Sequence, residues 1–126
     1  MANYTSTIPV HFTVVPTSST AWSLVLASAT SGSPTLGPTD NVIVDTTGST
    51  VAVQVDSSDP GAIVTSASAT SISSSPSVSF SQSGGTFVAT FPAQSGTPYS
   101  WQIDVTADLI SGPTVLDPIL IIRKTN

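Results

Sequence analysis

His11 is the only histidine in this 126-residue chain, and so the one imidazole available as a general base. Serine is abundant and seven aspartates are present, so a Ser-His-Asp relay is formally conceivable. The pattern around His11 argues against it. Val10, Phe12 and Val14 alternate with His11 and Thr13, which places His11 on the polar side of a strand. No Gly-x-Ser-x-Gly elbow is present to strain a nucleophile into position. A solvated strand histidine is the expectation, and no catalytic residue is assigned.

The acids are all aspartates, at positions 40, 45, 56, 59, 104, 108 and 117, and there is no Glu or Cys. One His and no Cys is a poor start for zinc. Calcium suits Asp oxygens and loop carbonyls better. The candidates are Asp56 and Asp59, which flank a turn, and Asp40 and Asp45, which flank a strand start. No Asp-x-Asp-x-Asp-Gly loop accompanies them, and Asp is also an ordinary turn residue. No metal site is therefore assigned, and these four remain the calcium candidates. Glycoside hydrolysis would need an Asp–Asp pair in a cleft, and nothing in so small a chain signals one. Phosphate loops of the Gly-x-x-x-x-Gly-Lys and Gly-x-Gly-x-x-Gly types are absent. Asn3-Tyr4-Thr5 matches a glycosylation sequon, but chance explains such a match where hydroxyl residues are this common.

Aromatic rings are the other source of chemistry, because sugars stack on exposed Trp and Tyr. The ligand candidates are Tyr4, Trp22 and Trp101. Trp22 shares its face with Leu24 and Leu26, and Trp101 shares its face with Tyr99, Ile103 and Val105. Alternation thus places both tryptophans in the core and leaves Tyr4 the freer ring.

The elements that would position these residues are strands. Val51, Val53 and Val55 alternate with Ala52, Gln54 and Asp56. Phe87, Ala89 and Phe91 repeat the pattern, as does Tyr99 through Ala107. Turn signals separate the runs: Gly37-Pro38, Thr47-Gly48, Asp59-Pro60-Gly61, Gly84-Gly85 and Gly112-Pro113. Thr47-Gly48 suggests a hairpin between Val42–Asp45 and Thr50–Asp56. Thr65–Ser75, with Ile72 its one large apolar residue, is either an edge strand or a loop crossing between sheets. Thr30–Asp40 reads as a loop. The fold expected is all-β: a single domain over residues 1–126, a Greek-key antiparallel β-sandwich of about eight strands.

The last run, Val115–Arg123, is apolar on both faces, with Leu116, Leu120 and Ile122 on one and Val115, Ile119 and Ile121 on the other. Both faces are then covered, the outer one by a partner subunit or by the Thr30–Asp40 loop. Pro118 and the Arg123-Lys124 pair look like brakes on edge pairing.

Composition supports these readings. Serine and threonine number 23 and 19, one third of the chain, while charged residues are 7%. Such a chain lacks the Glu, Lys and Arg of helical bundles. With 39% hydrophobic residues and a mean hydropathy of +0.31 it can still build a core. Net charge is −5 with two basic residues, which excludes nucleic acid as a partner.

Two segments resemble known sandwiches. Val42-Ile43-Val44-Asp45-Thr46-Thr47-Gly48-Ser49-Thr50-Val51-Ala52-Val53 is similar to a strand–turn–strand step of cupredoxins. Phe87 to Pro92, followed by Ser95-Gly96-Thr97-Pro98-Tyr99-Ser100-Trp101, resembles the cupredoxin step from Phe-x-Pro through Gly-Thr into a Tyr-containing strand. Fibronectin type III domains, of the immunoglobulin-like class, carry a similar Gly-Thr-x-Tyr step. The resemblance implies a cupredoxin-like or immunoglobulin-like strand order over about half the chain. It does not extend to copper, which needs two His, a Cys and usually a Met; here one His, no Cys and only Met1 are present.

The expected function is non-catalytic: a structural or protein-interaction module that self-associates, or else a small lectin-like protein. Its partner is then a protein, a second copy of the chain first among them, or a neutral glycan. No cofactor is expected. The longest unbroken apolar run, Ile119–Ile122, is too short to insert in a membrane. MANYTSTIPV has no charged and apolar leader pattern, so no signal peptide is expected, yet the Lys-poor, hydroxyl-rich composition leans towards a surface or secreted setting.

Overall fold

The computed structural model describes residues 3–17, 22–37, 40–58, 63–109, 112–116 and 118–125, with only the backbone described at 108–109 and 112–116. The Asp59-Pro60-Gly61 turn therefore lies outside the described residues. Among the described residues every regular element is a strand. They are β1 (Asn3–Thr5), β2 (Val10–Pro16), β3 (Trp22–Leu26), β4 (Thr35–Leu36), β5 (Asn41–Thr46) and β6 (Thr50–Ser57). They continue as β7 (Ile63–Ile72), β8 (Ser81–Ser83), β9 (Thr86–Pro92), β10 (Tyr99–Leu109), β11 (Gly112–Leu116) and β12 (Ile119–Lys124). Among the described residues no helix is long and apolar enough to cross a membrane.

The strands form two sheets. The first runs β1-β5-β12-β10-β7, with β11 continuing the β12 lane along β10. The second runs β4-β3-β2-β6-β9-β8. Alternation sets what each sheet turns inward. Val10, Phe12, Val14, Leu24, Leu26, Val51, Val53, Val55 and Phe91 of the second sheet meet Val42, Val44, Trp101, Ile103, Val105, Leu120 and Ile122 of the first, each no more than 1% exposed. Phe91 and Trp101 join the layers edge to face, with ring centroids 4.8 Å apart. The Trp101 indole N–H donates to Pro76 O at 2.8 Å, so its polar atom is satisfied inside the core.

Several expectations change. The sheets are mixed and not purely antiparallel: β2 pairs β6, β5 pairs β1 and β5 pairs β12 in parallel. Period-2 alternation fixes which face a residue takes and carries no information on strand direction. Among the described residues twelve strands stand where about eight are expected: β1 and β4 are only two or three residues long, Thr65–Ser75 supplies β7, and the final run divides.

Val115 and Leu116 belong to β11, whereas Ile119–Lys124 form β12. The break comes at Pro118, whose carbonyl accepts the Ile103 N–H at 2.8 Å. Pro118 is buried and β12 lies between β5 and β10, so this segment guards no sheet edge. Its outer isoleucines, Ile119 and Ile121, are half-buried, with Ile121 in register beside Ile43 of β5. The Thr30–Asp40 segment contributes β4 to the other sheet, where Leu36 is buried.

The Thr47-Gly48 step is an arch between sheets and not a hairpin, since β5 and β6 lie in different layers. Gly84-Gly85 does close a hairpin, β8 to β9, with Gly84 at φ +63°. Thr65–Ser75 resolves into strand β7 as far as Ile72, after which the chain crosses to the second sheet.

Candidate functional site

The outer face of the second sheet gathers the chemistry-bearing residues. In the parallel register of β2 and β6, His11 stands beside Gln54, one step from Asp56 on the same face. His11 Nε2 and Asp56 Oδ1 are 2.9 Å apart. Gln54 Nε2 donates to Asp56 Oδ2, also at 2.9 Å. Both carboxylate oxygens are thus engaged, and the two ring partners are partly exposed, His11 at 36% and Asp56 at 24%. An Asp–His pair of this kind orients an imidazole, which is one half of a hydrolytic relay. The serine that His11 meets, Ser28, accepts from the backbone N–H at 2.8 Å and not from the ring. Ser28 is in turn tied to the buried Ser6, Oγ to Oγ at 2.6 Å, which fixes the start of β2 against the end of β3.

Beside this trio lies a groove of about 440 Å³. Pro9, Ala52 and Val88 supply apolar wall, and Gln54, Ser81 and Thr90 supply neutral hydrogen-bonding groups. No ionisable side chain lines it. A neutral amide such as Gln54 carries no signature of chemistry by its type, but its outward position two residues before Asp56 is a signal the sequence already contains.

The calcium candidates do not converge. Asp40 Oδ2 accepts the Gly37 N–H at 2.8 Å and closes its own loop. Asp45 forms a two-point pair with Arg123, Oδ1 to Nε at 2.7 Å and Oδ2 to Nη2 at 2.9 Å. The hydrogen bond from Arg123 holds the Asp45 carboxyl below the usual carboxylate range. Asp56 is held by His11 and Gln54, and Asp59 lies outside the described residues. Among the described residues no three metal-ligating side chains cluster.

Among the aromatic candidates, both tryptophans lie in the core, as alternation expects. Trp101 is 0% and Trp22 6% exposed, so neither offers a ring face to a sugar. Tyr4 is half-buried and packs against the core. Alternation had placed both tryptophans inward, and packing leaves Tyr4 little freer.

A second candidate surface is the edge of the first sheet. Among the described residues five strands have a single neighbour: β1, β4 and β8 are two or three residues long and β11 five, whereas β7 has ten. Its residues, Ile-Val-Thr-Ser-Ala-Ser-Ala-Thr-Ser-Ile, include no charge and no proline. Among the described residues it pairs only with β10. A bulge at Thr65 interrupts the pairing, leaving Ser66–Ile72 regular.

The direction of each backbone group in β7 follows from its neighbour. The Ile103 N–H points to Pro118 in the β11/β12 lane, so Ile103 turns its polar groups away from β7. By antiparallel alternation Gln102 and Asp104 turn theirs towards β7 and use those of Thr70 and Ser68. Ser100, of the same parity, donates its N–H on the β7 side, to Ser75 Oγ at 2.8 Å. Ala67, Ala69 and Ser71 therefore present N–H and C=O to the open edge.

Neither a protein-family model nor a curated protein sequence matches this chain.

Proposed function

We propose that the protein is a non-catalytic structural or interaction module that self-associates by extending its first sheet at β7. The observation that carries this is the contrast between edges. Natural sheets blunt their edges with short strands, charges, prolines or bulges. Here β1, β4 and β8 are short and β11 carries Pro113, while β7 is long, uncharged and free of proline, and its one bulge, at Thr65, leaves Ser66–Ile72 regular. In a chain of net charge −5, a neutral edge is where two copies approach with least repulsion. Mass by light scattering across a concentration series tests this. A dimer or larger species is expected, and a monomer at high concentration would overturn it.

A second reading, a small carbohydrate-binding protein, rests on the neutral groove beside Gln54. Its walls pair apolar surface with hydroxyl and amide groups, as the faces and edges of a neutral sugar require. A glycan array tests it, and an array without signal would remove it.

The finer fold assignment belongs to the same proposal. Repeated crossings between layers and the mixed pairing of β2 with β3 and β6 support a Greek-key sandwich of cupredoxin-like or immunoglobulin-like order. The hydroxyl-rich, Lys-poor composition supports a surface or secreted setting.

A further inference from the structure

We propose, resting on the self-association reading above, that two copies join β7 to β7 antiparallel about a two-fold axis passing at Ala69. Three observations set this register. The outward backbone groups belong to Ala67, Ala69 and Ser71, spaced symmetrically about Ala69. Antiparallel pairing centred there sets Ala69 opposite Ala69 and Ala67 opposite Ser71, and all the outward N–H and C=O groups of both copies find partners. Shifting the centre by one residue, to Ser68 or Thr70, carries one end of the pairing onto the Thr65 bulge or past Ile72, where the strand stops.

Side chains agree with this register. A two-fold axis perpendicular to the sheet keeps each face with its like, so Ser68 meets Thr70 and Ser66 meets Ile72 on the outer face. Hydroxyl pairs across strands are favourable, and no charge meets its like. The nearest acid on this face is Asp104 of β10, beside Ser68. Its counterpart in the other copy stands three strand spacings away, about 14 Å, beyond the Debye length at physiological salt. The interface is isologous and closes at two copies, because pairing occupies β7 in both.

The chain has no cysteine, so introduced thiols are the only ones present. Ser68→Cys and Thr70→Cys are prepared separately and oxidised alone and as an equal mixture. In the proposed register residues 68 and 70 form a non-hydrogen-bonded pair with Cα atoms about 4.5 Å apart, within disulfide reach. Like residues lie about 8 Å apart, outside it. A disulfide dimer only in the mixture is expected. A disulfide in Ser68→Cys alone or in Thr70→Cys alone would place the axis elsewhere and overturn the register. A dimer by light scattering with no disulfide in any sample would overturn β7 pairing while leaving self-association standing. A monomer would overturn both.

Ala69→Pro provides an independent arm. Its lost N–H points outward, so the β10 ladder is kept. A folded protein with a dimer dissociation constant raised about thirtyfold is expected from two lost hydrogen bonds. An unchanged constant would overturn the proposal. Thr70→Pro, which loses a bond to β10, should instead destabilise the fold.

Discussion

His11 and Asp56 meet side chain to side chain at 2.9 Å although 45 positions separate them. The contact exists because β2 and β6 are parallel neighbours, with His11 in register with Gln54. Gln54 then fills the second carboxylate oxygen, so the three side chains form one polar row on the outer face of the second sheet.

Removing that row should cost little. Both partners are partly exposed, at 36% and 24%, so water replaces much of what is lost. A double-mutant cycle of His11→Ala and Asp56→Asn should give a coupling energy of roughly 0.5–1 kcal/mol. Urea denaturation of the four proteins measures it, and a coupling of several kcal/mol would mean the pair is far less solvated than its exposure indicates.

The Asp45–Arg123 pair predicts a pH dependence with a definite sign. The Asp45 carboxyl is lowered in the folded chain by the hydrogen bond from Arg123. A lowered carboxyl binds fewer protons folded than unfolded, so its contribution is complete above the unfolded pKa, about 3.9. That contribution is lost as pH falls through the lower folded value. Arg123→Ala should therefore flatten the acid limb of stability against pH, and high salt should shrink the difference because both groups are exposed. Midpoints of urea unfolding between pH 2 and 6 in the two proteins provide the comparison.

Trp101 should behave as a core residue. Trp101→Ala removes a fully buried ring packed on Phe91 and should destabilise by roughly 3–5 kcal/mol. Trp101→Phe keeps most of the volume but strands the Pro76 carbonyl with only the Ser71 hydroxyl, and about 1–2 kcal/mol is expected. Both tryptophans are buried, so wild-type fluorescence should be blue-shifted and resist iodide quenching; red-shifted, readily quenched emission would contradict the packing.

At the β8–β9 hairpin, Gly84 adopts φ +63° with open space around its Cα. A methyl group there meets no atom, so Gly84→Ala measures backbone strain alone. A loss of about 1–2 kcal/mol is expected, and Gly84→Asn should lose less because Asn tolerates this region. Thermal unfolding of the three proteins ranks them.

Alternation along single strands determined much of this protein before any tertiary contact was considered. It put Val10, Phe12, Val14, Trp22, Leu24, Trp101 and Ile103 inside, because a pleated strand turns successive side chains to opposite faces. The residue types alone, one His, no Cys and Met1 as the single Met, lack the ligand set of a cupredoxin copper site. Strand direction and partner choice were not legible, because parallel and antiparallel strands share one period. Hence the arch after β5, the parallel pairing of β2 with β6, and the division of the last run at Pro118 came only from the tertiary structure. So did the meeting of His11 with Asp56 and the position of β7 at an open edge. Both depend on which strands lie side by side, and that is decided by how two twisted sheets pack their apolar faces together, not by any local run of residues.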